Sequence, residues 1–204
     1  MTLDGESLPP GATPLDPDEA EGLLLVHVET RRELNEAEEA NIAAGLAWAL
    51  GRLRRSDPLS DGFVFELHRR MFNEVWAWAG QTRITEKNIG VAPWEIRPRV
   101  RDLVADARLW RDAWKAGQPI YPMMEACVRL HHRLVAIHPF ANGNGRHARM
   151  IADLLMLHSG EGVLSWGRGI GSLISTGALR DQYIAALRAA DRGDVGPLLR
   201  FAQS

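Results

Sequence analysis

The sequence predicts an all-α domain, a helical bundle interrupted by one short β-hairpin flap. Three observations predict it. Apolar residues recur at helical spacing along most of the chain. Prolines and glycines break those segments at intervals suited to antiparallel neighbours. A single stretch, Gly80 to Ile96, loses the helical period, and Thr82, Ile84, Ile89 and Val91 within it suggest short extended pieces.

Taken in order, residues 1–17 read as an extended arm, because Pro9, Pro10, Pro14 and Pro17 prevent a regular helix. An acidic first turn at Pro17-Asp18 is expected to lead into a helical run through Leu23, Leu24, Leu25 and Val26. Asn35 is the expected N-cap of a second helix with Ile42, Leu46, Ala49 and Leu53 on its apolar face. Asp57-Pro58 opens a third, with Phe63, Leu67 and Phe72 inward, and Pro98 begins a fourth through Val100, Leu103, Ala107 and Trp110. Further helices are expected from Pro122 to about Ile137, from Arg146 to Gly160, from Leu179 to Ala190 and from Pro197 to Phe201. This divides the chain into an arm (1–17), N-terminal helices (18–55) and a core with C-terminal helices (56–204).

Composition removes several classes of function. The 204 residues carry 24 basic and 26 acidic side chains, a formal charge of −2, which gives no warrant for direct nucleic-acid binding. The acidic, proline-bearing start is unlike a signal peptide, and no run approaches the ~18 apolar residues of a membrane helix, so a cytoplasmic protein without a membrane partner is expected. The single Cys127 excludes an intramolecular disulfide and reads as an inert core residue. Five of the seven tryptophans, Trp48, Trp76, Trp78, Trp110 and Trp114, fall on or beside apolar faces and read as core. His131 and His132 lack a clear third ligand and read as packing or helix-surface residues, Met123-Met124 as core filler, and His147 and His158 as the exposed side of their helix. Only Lys87 and Lys115 of the 24 basic residues are lysines, so the chain has 22 arginines, mostly a matter of codon bias.

The informative stretch runs from Val135 to Arg149. An apolar helix ends at Ile137 because Pro139 cannot continue it and restricts His138. Asn142-Gly143-Asn144-Gly145 supplies glycines where backbone must turn sharply or approach a ligand, and a new helix starts at Gly145 or Arg146 with its free N–H groups facing that loop. Arg146 and Arg149, three apart, reach one anion. Singly, a Gly-Asn-Gly turn is common and a first-turn Arg is ordinarily solvated. Together they place a general base beside a site for a di- or triphosphate.

These residues carry a resemblance. His138-Pro139-Phe140-x-x-Gly143-Asn144-Gly145-Arg146-x-x-Arg149 resembles the signature of the Fic (Fic/DOC) family at eight of nine defined positions. Trp78-Ala79-Gly80-Gln81-Thr82-Arg83 is similar to the element preceding that family's target-docking flap, and the whole chain looks most like its mobile mystery protein B subgroup. The resemblance implies a Fic-fold helical bundle and protein adenylyltransferase activity, moving AMP from ATP to a target hydroxyl. His138 would be the base. Gly143, Asn144 and Gly145 would cradle phosphate oxygens, with Arg146 and Arg149 on the β/γ phosphates. Ile89, Gly90, Val91 and Ala92 would form the flap that docks a protein substrate by strand addition. The implied cofactors are ATP as substrate and Mg²⁺, and a regulatory or antitoxin-like protein is an implied partner.

Two positions depart from the family pattern. Asn142 stands where the family has its acidic metal ligand, and an amide oxygen lacks the charge that holds a hard cation. The family's inhibitory helix has its nearest counterpart in Asn35-Glu36-Ala37-Glu38-Glu39-Ala40, which makes Glu39 the expected partner of Arg149 and Glu36 the neighbouring option. Two other readings stay open: removal of AMP or transfer of another phosphate-containing group, and a nucleotide-binding, toxin-like regulatory module with little turnover.

Overall fold

The computed structural model describes residues 15–167 and 177–204; most of the arm expected over 1–17 lies outside them. The elements are α1 (Pro17–Ala20), α2 (Arg31–Arg52), α3 (Asp61–Phe72), a 3₁₀ turn (Pro93–Glu95), α4 (Ile96–Lys115), α5 (Met123–Ile137), α6 (Asn144–His158), α7 (Ala178–Asp191) and α8 (Gly196–Gln203). Among the described residues the only β pairing is an isolated antiparallel bridge, Leu23 to Trp76. The all-α expectation therefore stands, while the β-hairpin is not formed: residues 81–92 run as irregular, partly extended chain. No helix among the described residues is long and apolar enough to cross a membrane.

The helix starts explain where the expected boundaries shift. α2 begins at a capping box, with Thr30 Oγ1 accepting Glu33 N–H (3.2 Å) and Glu33 Oε2 accepting Thr30 N–H (3.0 Å), so Asn35 lies inside the helix rather than capping it. Ser60 caps α3 through Phe63 N–H, while Asp57 makes its own turn with Leu59 N–H. α4 starts at Ile96, and Pro98 is accommodated in its first turn, where its missing N–H costs nothing. The run Leu23–Val26 is not helical. Leu23 and Leu24 instead bond to the Phe72–Ala77 connection, through the Leu23–Trp76 bridge and Leu24 N to Val75 O (2.9 Å).

The bundle is built around α5 and α6, which pack on each other. α4 covers α5, α2 and α3 form a pair that reaches α6, and α8 returns against α5 with α7 beside it. α6 is buried on nearly every face, by Ala148, Met150, Ile151, Leu154 and Leu155 together with the polar Asn144, His147, Arg149 and Asp153. Its first turn, where Gly145 and Arg146 are only partly buried, faces the loop after α5. Phe63, Leu67, Phe72 and Trp76 join the same core, and Cys127 is fully buried, with burial pushing its thiol pKa upward. His147 was expected on the surface and is buried, because the helix has no solvent face at that turn; its Nε2 meets Val64 O at 2.8 Å. His158 is half-buried, with Nδ1 3.2 Å from Leu53 O.

Candidate active site

The site is the α5–α6 loop and what closes on it. His138 terminates α5 in the left-handed conformation (φ 54, ψ 61), its N–H donating to Leu134 O at 3.1 Å. A non-glycine residue before proline in that region is strained and persists only where its surroundings over-determine it. Gly143 caps α6 at φ 76, and a Cβ there would meet the Phe72 ring at 2.5 Å, so both backbone and packing require glycine. No side chain caps the first turn of α6, which leaves the start of the helix available to an anion.

The loop is held from below by side chains the sequence reading assigned otherwise or overlooked. Asn144 is buried and does not face outward as a phosphate ligand. Its Oδ1 accepts Phe140 N–H (2.9 Å) and its Nδ2 donates to Phe140 O (2.8 Å), stapling the loop to itself. His68 lies stacked on Phe140 at 3.6 Å, accepts Gly80 N–H on Nδ1 (3.0 Å) and so donates from Nε2 to Asn142 O (3.0 Å). That pair of bonds fixes a neutral tautomer. The hint in the sequence was a polar residue at helical spacing between Val64 and Phe72, on the buried face of α3.

The cationic end differs from expectation in one important respect. Arg146 and Arg149 both rise from the start of α6, as expected. Yet Arg146 already pairs with Glu38, Nη1 to Oε2 at 2.6 Å, and lies over the Phe72 ring. The other carboxylate oxygen of Glu38 accepts Trp76 Nε1–H at 2.7 Å. Glu39 and Glu36 are exposed, so the expectation for Glu39 is corrected to Glu38, and its partner to Arg146 instead of Arg149. The reason is helical phase. Leu34, Glu38, Asn41, Ile42, Gly45 and Ala49 share the buried face of α2, and Glu39, one residue on, is turned away from it. Arg149 is buried over the Tyr183 ring, and Tyr183 in turn contacts His131 Nε2 at 3.1 Å.

The flap residues reach the site even without a hairpin. Val91 N–H donates to Ile137 O at 3.3 Å, and a Cβ on Gly90 would stand 2.8 Å from that of His138, so the chain passes directly against the catalytic candidate. Ile89 and Gly90 are exposed, while Val91 packs on the core. Asn142 fits poorly as a metal ligand. Its Oδ1 already accepts Gly143 N–H at 2.6 Å, the loop from His138 to Arg149 contains no carboxylate, and among the described residues no group of three or more His, Cys, Asp or Glu is placed to hold a metal.

Burial sets the protonation of the site. It depresses His138 to about 4, with Arg83 acting in the same sense; the Val135 backbone opposes the shift, and Lys87 adds a smaller push downward. Burial also lowers His147 to about 4, and drives His68 and His131 well below their ordinary range. The folded state thus keeps these imidazoles neutral while the unfolded chain takes up protons near 6.5. Their stabilisation is complete above that value and is lost as pH falls towards 4, at about 1.4 kcal/mol per pH unit for each imidazole. Asp153, raised to about 6 by burial, works in the opposite sense and offsets part of one such group between pH 4 and 6. The expected result is a melting temperature that drops steeply between pH 6.5 and 4.5. His147→Gln, which keeps a donor for Val64 O, flattens that profile; a flat profile in the unsubstituted protein contradicts this assignment.

Residues 58–156 match the Fic/DOC family. It is 30% identical over 153 residues to protein adenylyltransferase fic-1 of Caenorhabditis elegans, a match covering 72% of this chain and 27% of that protein, so this chain spans about a quarter of the length of that relative. The solved structure of a C. elegans Fic-1 fragment superposes with a TM-score of 0.61 at 27% identity, covering 89% of this chain and 55% of that one. BepC of Bartonella tribocorum, solved with bound AMPPNP, gives a TM-score of 0.61 at 17% identity, covering 85% and 86%, and supports the fold alone.

Proposed function

We propose that this domain is a protein adenylyltransferase, transferring AMP from ATP to a Ser, Thr or Tyr hydroxyl of a target protein. The observation that carries the reading is the convergence of His138, the uncapped start of α6 with Arg146 and Arg149, and an exposed flap passing against His138. The names of the adenylyltransferase relatives support it. In the proposed step the target oxygen attacks the α-phosphorus and its proton passes to the imidazole of His138. The bond from the α-phosphorus to the bridging oxygen breaks, and pyrophosphate leaves. The N–H groups at Gly143 to Gly145 and the two guanidiniums meet the charge that develops on the phosphates. An imidazole near 4 is a weak base in the free protein; a bound polyphosphate raises it towards neutrality, where a general base is most effective.

The flap offers an extended target its outer edge. Val91 directs both backbone groups inward, its N–H to Ile137 O and its C=O to Arg83, which leaves the exposed Ile89 and Gly90 as the part of the flap a target can meet. Mg²⁺ in this reading arrives with the nucleotide, since the side chains here do not supply a carboxylate for it. Asn142→Asp restores one, and lowers the Mg²⁺ concentration for half-maximal transfer by about tenfold. An unchanged Mg²⁺ titration contradicts that role for position 142. The Glu38–Arg146 pair occupies one of the two phosphate-binding guanidiniums, so we read the described state as self-inhibited, in a cytoplasmic setting.

A second reading, a nucleotide-binding regulatory module with little turnover and a separate partner, is favoured by Asn142 and by the engaged Arg146. ATP labelled at the α or the γ position, Mg²⁺ and a cell lysate separate the two. Protein-bound label from the α position supports AMP transfer. Label from the γ position indicates phosphoryl transfer, and tight nucleotide binding without transfer, even after Glu38→Gly, indicates the module.

A further inference from the structure

Arg83 is buried at 4% exposure; Glu86 and Glu19 act on its charge, but among the described residues no carboxylate lies within ion-pair distance of it. A buried cation with no ion-pair partner is costly unless its donors are fully used. They are used on main-chain carbonyls alone. Nε donates to His138 O at 2.7 Å, Nη1 to Thr85 O at 2.8 Å, and Nη2 to Val91 O, while its own backbone N–H donates to Pro139 O at 3.0 Å. The three guanidinium acceptors come from the strained residue that ends α5 and from both ends of the 85–91 segment. A planar fork of fixed donors collects three such carbonyls; an ammonium does not reproduce that geometry. Gly90 (φ +112) completes the contact, because a Cβ there would stand 2.5 Å from Arg83 Nη2 and 2.8 Å from His138 Cβ.

We propose that Arg83 is a positioning residue which locks the flap and His138 in one register, so that a hydroxyl on a docked segment arrives at the imidazole. The inference rests on the AMP-transfer reading for its catalytic consequence, though not for its structural one. Arg83 touches neither the α6 N-terminus nor its arginines, so nucleotide binding is independent of it. Its charge also faces the imidazole, together with Lys87, whose own charge is met by Asp16 and Glu19. The two contributions separate in substitutions: Arg83→Lys keeps charge and loses the fork, whereas Arg83→Gln loses both.

The test uses the full chain in the Glu38→Gly background. Arg83→Lys is expected to lower kcat about 100-fold, with KM for ATP and the ATP dissociation constant within about twofold. Hydrogen exchange at the Val91 amide accelerates at least tenfold in both Arg83 variants. The His138 titration followed by NMR stays low in Arg83→Lys and moves up towards 6.5 in Arg83→Gln. Gly90→Ala, which wedges the same contact with Arg83 intact, reproduces the kcat loss should an Arg83 variant fail to fold. Unchanged Val91 exchange in the folded Arg83 variants, or an unmoved titration in folded Arg83→Gln, overturns the proposal, as does Gly90→Ala at full kcat. Amide exchange and titration need no turnover, so a failure of AMP transfer itself is read separately from a failure of this role.

Discussion

Replacing Glu38 by glycine is expected to raise the proposed AMP transfer by about 10- to 100-fold. The carboxylate holds Arg146 at 2.6 Å and is itself held by Trp76 at 2.7 Å, so it is a fixed, buried competitor for the guanidinium that would otherwise meet a phosphate. A charge-assisted hydrogen bond of this kind is worth about 1.5–3 kcal/mol, and releasing it converts to the stated factor through the population of productively bound nucleotide. The cost falls elsewhere: glycine inside α2 loses about 1 kcal/mol of helix stability, and Trp76 Nε1 loses its acceptor. Glu38→Gln is the control, since it leaves an acceptor for Trp76 and removes the charge, and it activates less. Glu39→Gly, on the exposed face, leaves transfer unchanged. Labelling with α-labelled ATP across the three variants checks the order; equal labelling in all of them refutes the assignment to Glu38.

The second large effect is at His138. His138→Ala in the activated background lowers transfer by about 10²- to 10⁴-fold, the usual contribution of a positioned general base. Nucleotide affinity changes little, because the phosphates are held by the start of α6 and its arginines. A base must be neutral to act, so transfer falls as pH drops through the imidazole pKa of the nucleotide complex. With the free-protein value near 4, the acid limb of kcat/KM for ATP lies well below that of kcat, where bound polyphosphate has raised the group. Coincident limbs contradict the depression of His138 in the free state.

Much of this site was legible in the sequence because local rules place it. Pro139 had to end α5, glycines had to turn the loop, and Arg146 and Arg149 had to share one side of the helix that follows. What escaped depended on long-range packing. Glu38 escaped because motif spacing pointed to Glu39, although Glu38, four residues after Leu34 and four before Ile42, lies on their stripe wherever the helix begins. Asn144 looked like a ligand because its neighbours are glycines, yet its side chain serves Phe140, a contact within the loop that spacing alone does not reveal. The hairpin was inferred from β-branched residues at 82–91. Those residues are tied instead by Arg83 and by α1, where Asp16 accepts from Thr85 and both Asp16 and Glu19 pair with Lys87, so the chain has no need of a second strand. His147 read as surface because the burial of α6 on all sides is set by its neighbours, α2, α3 and α5.

Mass spectrometry of a lysate treated with ATP and the Glu38→Gly protein tests the central claim most directly. The expected result is Ser, Thr or Tyr side chains carrying one adenylyl group, absent when the double variant Glu38→Gly/His138→Ala replaces it. Phosphoryl groups in their place, no adduct at all, or adenylyl groups that persist in the double variant would contradict it.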